Sequence, residues 1–386
     1  LPPAARGDHA GSGLRLPSAL PGAGGIDPLS LTPDALGGCF MLLSGAVIAL
    51  SALFGIGYAH GPAASRTGWV AFAGFAVGVL LVPAAADAVS FLLAWELMAG
   101  DSTVLLLADH AARPAVRRAA LWYAVMTHLS FLLLVAGFGV LALAAGGTGW
   151  GRLAASTPPA PLAGLAFVLL AVGFLAKAGL VPVHVWLPLA HPEAPSHMSA
   201  AMSAAMVKMG VYGVLLVTLR LAPGGPRWWA LLLLVLGAES ALYGILQASV
   251  QADLKRLLAY SSTENVGLIV TAAAVGLLLR ASGQTAGADL ALLAALLLAL
   301  SHAAFKTVLF LGAGSVLHAT GLRDLDLLGG LAARMPWTAS AFGVGAMGAA
   351  ALPVDARAQQ PFADLGEAFR VVTRTAGDVR ARFEVR

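Results

Sequence analysis

The 386-residue sequence carries a single cysteine, Cys39. That excludes an intrachain disulfide framework and a cysteine-ligated cluster. Charge is scarce as well: 11% of the residues are Asp, Glu, Lys or Arg, against 59% hydrophobic, and the mean hydropathy is +0.84. A soluble domain needs far more charge to cover its surface. Several soluble signatures are missing: there is no P-loop, no HExxH, and no GxSxG with triad partners at usable positions. The net charge of +4 is spread over connecting loops, so no basic patch interleaved with aromatics points to nucleic acid. The short alternating segments of a transmembrane β-barrel are absent too.

What the chain has instead is repeated apolar runs approaching the ~20 residues that a helix needs to cross a ~30 Å hydrocarbon core. The fold class read from them is all-α, a polytopic membrane protein of about ten transmembrane helices. The spans lie near 36–57, 68–86, 88–108, 118–146, 161–181, 197–219, 229–250, 258–280, 289–317 and 336–352. Between them, "AHGPAASRTG", "GGTGWGRLAASTPPAP", "LAPGGPRWW" and "RASGQTAGAD" supply turn chemistry. One set of alternate loops carries Arg66, Arg113, Arg117, Arg118, Lys255, Arg256, Arg323 and Arg334, and the other only Arg152, Arg220, Arg227 and Arg280. The richer set is expected on the cytoplasmic side. Lys255 and Arg256 read as anchors at that edge. Residues 1–28, rich in Pro, Gly and Ala, lack a signal peptide's continuous apolar region and read as extramembrane. Residues 29–353 form the membrane domain, and 354–386 a charged extramembrane tail.

Seven ionisable residues fall well inside spans: Glu96, Asp101, Lys177, Lys208, Glu239, Glu264 and Lys306, with His128 and His302 beside them. At a helix centre each charge costs roughly 2.5–3.5 kcal/mol, so these groups must face one another, water or backbone dipoles. Lysine is the informative type. Its proton affinity responds strongly to desolvation and to neighbouring charge, so a buried lysine near a carboxylate can load and release a proton. Structural ion pairs and snorkelling lysines are the bland alternative.

In "VGFLAKAGLVPVHVWLPLAHPEAPSHMS", Pro182 follows Lys177 by five residues, which predicts a broken helix lining a cavity. His184, His191 and His197 follow among prolines. That spacing gives no one-face metal set. A loop histidine bonded to a carbonyl is as good a reading of His191 as a proton carrier. His197 and Lys208 are eleven residues apart, three α-helical turns, so they are expected to share a face. His302 and Lys306, four apart, share one as well. For Glu264, function and pairing with a nearby arginine are both open.

The block "KAGLVPVHVWLPLAHPEAPSHMSAAMSAAMVKMGVYG" resembles the antiporter-like membrane subunits of respiratory complex I, most of all the large membrane subunit of hydrogenase-4 and formate hydrogenlyase complexes. "AWELM", "QADLKRLLAYSSTENVGLI" and "HAAFKTVLFLGAGSVLHATGLRDLDLLGGLAARMPWT" resemble further blocks in the same order, so the likeness runs from about Asp27 to Pro353. The resemblance implies two inverted five-helix repeats, each with a broken helix. It implies that Glu96 and Lys177 are the paired carboxylate and lysine of a first half-channel. Lys208 would be a central connector with His197 on the same helix, and His302 and Lys306 would lead to a second half-channel. It further implies a non-catalytic, proton-translocating subunit of a redox complex in a prokaryotic plasma (inner) membrane. Such a subunit binds no redox cofactor or metal itself, and its partners are other membrane and peripheral subunits.

The chain also departs from the family. Its first span resembles the family's third, and after "ALP" the expected charged exit residue has no match, so helices are expected to be missing at both ends. Asp101 and Glu239 stand where the family has small or neutral polar residues. With His184 and Glu264 they are auxiliary candidates. Two other functions fit the same motifs: a multisubunit sodium/proton antiporter subunit, and a truncated, non-conducting scaffold.

Overall fold

A computed structural model describes residues 14–15, 29–108, 110–111 and 113–350. The expected tail 354–386, and the segment 1–28 apart from Leu14 and Arg15, lie outside the described residues. Leu14–Arg15 (β1) pairs antiparallel with Ser30–Leu31 (β2). Everything else of consequence is helical.

The helices run α1 (Ala35–Tyr58), α2 (Arg66–Ala84), α3 (Ala88–Leu106), α4 (Pro114–Ala145), the short α5 (Trp150–Ala155), α6 (Ala160–Ala178) and α7 (Leu187–Glu193). A continuous rod, Ser196–Leu221, follows. It consists of α8 (Ser196–Ala201), a π-helical segment (Met202–Met206), α9 (Val207–Leu215) and a second π segment (Leu216–Leu221). Then come α10 (Arg227–Ser249), α11 (Leu254–Ala281), α12 (Thr285–Thr320), the single turn α13 (Leu331–Arg334) and α14 (Pro336–Ala349). Each expected span is a helix. Nine are long and apolar enough to cross a membrane, and α14 contributes 14 described residues.

Local chemistry sets the boundaries. Asp34, Ser65, Asp87 and Asp253 cap α1, α2, α3 and α11, each accepting the first unpaired backbone N–H three residues on. The rod from Ser196 to Leu221 is buried along its whole length, whereas α4 turns most of its surface outward. The rod is therefore the axis of the molecule. α6 packs against it so closely that Gly210 admits no side chain: a Cβ there would lie 2.4 Å from the Phe174 carbonyl oxygen.

One membrane helix is broken among the described residues. α6 ends on Gly179 with φ +75°, turns follow, and α7 resumes at Leu187. The backbone groups freed by the break do not stay empty. Ser240 Oγ of α10 accepts from Val181 N at 3.0 Å, Thr263 Oγ1 of α11 donates to Gly179 O at 3.0 Å, and Trp186 Nε1 donates to Ala176 O at 2.7 Å. At membrane depth such partners are required, because hydrocarbon offers none.

Candidate functional site

Three lysines, on α6, α9 and α12, are buried to 1% exposure or less. Lys177 Nζ donates to Thr127 Oγ1 at 2.6 Å and to the Tyr123 hydroxyl at 3.2 Å, both on α4, and lies over the Tyr123 and Trp95 rings. Tyr123 OH in turn meets Ser102 Oγ of α3 at 2.6 Å. Lys177 therefore sits in a collar of hydroxyls and aromatic faces.

Glu96 does not join that collar directly. Its Oε1 lies 3.1 Å from His128 Nε2, while His128 Nδ1 is 2.8 Å from the Ala124 carbonyl oxygen. The imidazole thus has an oxygen at each nitrogen. No ion pair joins Glu96 to Lys177 among the described residues. The histidine on α4 takes the contact, and Glu96 reaches Lys177 only through its field.

Lys208 follows the first π segment. The wider turn leaves the Ser203 carbonyl to accept from Lys208 Nζ at 2.8 Å, and Lys208 also donates to His302 Nδ1 on α12. Ser203 Oγ meets Ser262 Oγ of α11 at 2.8 Å. One turn along α12 from His302, Lys306 Nζ donates to the Leu258 carbonyl at 2.8 Å and to Ser261 Oγ, both on α11. Glu264 is half-buried near Lys306, its charge acting on the lysine without an ion pair, and it has no arginine partner among the described residues.

The remaining candidates scatter. His197 lies among Tyr58, Trp69 and Phe72 of α1 and α2. The π segment between His197 and Lys208 departs from the α-helical register that the eleven-residue spacing assumes, and no hydrogen bond links the two. His184 packs edge-on to Tyr243 with a buried, unpartnered Nδ1. Asp101 lays its carboxylate over Gly74 of α2, where a Cβ would lie 2.1 Å from Oδ2. Glu239 is exposed on α10.

Sequence reasoning passed over the hydroxyls and two deep groups. Tyr123, Thr127 and Ser130 form a polar stripe at helical spacing on α4, a signal available in the sequence. Lys255 is no edge anchor: it is 1% exposed, with Nζ donating to Ala194 O at 2.5 Å. His191 bonds no carbonyl, since both ring nitrogens are buried without a partner. No group of three or more His, Cys, Asp or Glu among the described residues could hold a metal ion.

Comparison with known proteins fits this geometry. Residues 85–373 match the model of the "NADH:quinone oxidoreductase/Mrp antiporter, TM" family. A Mycobacterium tuberculosis protein is 54% identical over 323 residues, covering 84% of this chain and 50% of that protein. Hydrogenase-4 component B of Escherichia coli is 35% identical over 332 residues, covering 84% and 49%. This chain therefore spans about half the length of these relatives. Among solved structures, respiratory complex I from Thermus thermophilus contains a chain that superposes with a TM-score of 0.74 at 26% identity, over 89% of this chain and 69% of that one. A multi-pass helical bundle with lysines buried along its axis, matched over most of its length by these sequences, belongs to the antiporter-like transmembrane family of NADH:quinone oxidoreductases and Mrp antiporters.

Proposed function

We propose that the chain moves protons as a membrane subunit of a hydrogenase-4-like or complex I-like redox complex in a bacterial plasma membrane, with its arginine-rich loops in the cytoplasm. The carrying observation is that Lys177, Lys208 and Lys306 are all buried and, among the described residues, bonded only to neutral groups: hydroxyls, carbonyls and one imidazole. A buried lysine locked to a carboxylate is held in one protonation state. One with neutral partners remains free to exchange its proton as the charges around it change. Glu96 with His128 biases Lys177, and Lys208 with His302 connects it to Lys306. His197 lies at the head of the same rod. Asp101, His184, Glu239 and Glu264 are auxiliary. Residues 29–353 act as the conducting domain. Electrons are supplied by partner subunits, and no redox group is assigned to this chain.

The test uses inverted membrane vesicles containing the assembled complex, energised in turn with hydrogen, formate or NADH and followed with a pH-sensitive dye. Lys177→Met is expected to lower proton movement about 100-fold with the complex still assembled. Full pumping by that variant would sink the reading. The family description also covers Mrp antiporters. A pH change that needs added sodium and no electron donor would favour sodium/proton exchange instead.

A further inference from the structure

At the end of the molecule that carries Arg113, Lys255 and Arg323, a cavity of about 570 Å³ opens between the ends of α1, α4, α7, α11 and α12. Tyr58, Arg113, Glu193, Lys255, His318 and Arg323 are among its lining residues. Its ionic frame is tied together. Glu193, the last residue of α7, pairs with Arg113 and, at 3.5 Å, with Arg323, whose Nε lies 3.3 Å from Asp253 Oδ2. Arg323 also donates to the Pro192 carbonyl. The clamp fixes the far end of the broken helix to the entrances of α4 and α11.

Inside this frame Lys255 is among the residues lining the cavity although it is 1% exposed. Among the described residues its hydrogen-bond partner is the Ala194 carbonyl, a neutral group. Lys255 also stands one turn before Leu258 on α11, and Leu258 O is the acceptor of Lys306. His191 directly precedes Pro192 of the cavity lining and stands two residues before the clamp residue Glu193. It is fully buried and stacks on Phe310 at 5.0 Å between ring centroids. Phe310 is four residues beyond Lys306, as His302 is four before it, so His191 packs on the stripe of α12 that carries both. The charges of Lys255, Lys306 and Lys208 all act on His191. A buried imidazole with neither nitrogen satisfied is costly unless water or a mobile proton uses it.

We propose that this cavity is a proton-uptake vestibule and that Lys255 and His191 carry protons from it to the Lys208–His302–Lys306 group. The inference rests on the proton-conducting reading above. One proton from vestibule water joins neutral Lys255. The ammonium then passes a proton to the free nitrogen of neutral His191, and the imidazolium releases its other N–H proton toward the axial lysines. One proton enters, one leaves, both groups return to neutrality, and no electrons move.

The test compares Lys177→Met, Lys255→Met and Lys255→Arg in the same energised vesicles, with electron transfer and the amount of assembled complex measured alongside. Lys255→Met is expected to lower proton movement about tenfold or more. Lys255→Arg keeps the charge and a donor for Ala194 O but cannot release its proton, so it is expected to stay equally low. Rescue by arginine would show a structural role and overturn the proposal. Pumping lost in Lys177→Met but intact in Lys255→Met would overturn the vestibule route alone, and pumping intact in Lys177→Met would overturn both readings. Should Lys255→Met fail to assemble, Ala59→Cys at the cavity wall, in a Cys39→Ser background, reads the same route. A bulky, impermeant cationic thiol reagent applied from the arginine-rich face is expected to cut proton movement about fivefold by charge and steric block. Complete labelling with unchanged pumping would count against the proposal.

Discussion

The surroundings of Lys177 and those of Lys208 and Lys306 reach the same end by different means. Lys177 rests on side-chain hydroxyls from α4, and its carboxylate neighbour Glu96 is held off by His128. Lys208 and Lys306 rest mainly on backbone carbonyls, Ser203 O beside a π turn and Leu258 O on α11, with His302 bonded directly to Lys208. A hydroxyl can rotate and either donate or accept, whereas a carbonyl only accepts and is fixed by its helix. The first lysine can therefore hand a proton to its own ligands. Lys208 must pass it through the imidazole or through water, and Lys306 has one hydroxyl, Ser261, beside its carbonyl.

That contrast can be broken at five points. Lys208→Met removes the link between the two groups and is expected to lower proton movement about 100-fold in energised vesicles. His302→Ala takes away the one proton-accepting side chain bonded to Lys208 among the described residues, with an expected loss of about thirtyfold. His128→Ala should cost only about threefold, since Glu96 acts on Lys177 through its field. Equal losses in the two histidine variants would erase the distinction between a bonded and a biasing imidazole. Tyr123→Phe leaves Lys177 with Thr127 alone. The lost hydrogen bond to a charged group, about 1.5–3 kcal/mol at most, is expected to appear as a threefold to tenfold loss in pumping and a lower thermal midpoint of the purified complex. Ser261→Ala should matter least, below about twofold, because the Leu258 carbonyl still accepts a hydrogen bond from Lys306. A large effect there would mean that the second group also works through a hydroxyl.

The spans were legible because a ~20-residue apolar run has few alternatives in a chain this poor in charge. The break after Lys177 was legible through Pro182, and the His302–Lys306 pair through its i,i+4 spacing. The collar around Lys177 was harder to see, since Tyr123, Thr127 and Ser102 are ordinary residues until three helices bring them together. The His197–Lys208 relation assumed a regular helix, and nothing in "MSAAM" announces a π turn. Lys255 misled because a lysine at a helix start ordinarily faces water. Only the return of α7 over it, with Ala194 at its amine, takes it inside. The contact of Glu96 with His128 was not legible, because it depends on how α3 and α4 rotate against each other, which spacing within either helix does not fix.

The interruption after α6 is completed by Ser240 and Thr263, residues some sixty and eighty positions later in the chain. During synthesis the segment that carries Lys177 must wait for α10 and α11 before its exposed peptide groups find stable company in the bilayer. The two halves of the bundle are thus obligate companions in assembly, and a protein cut between them would leave its first lysine on an unfinished helix.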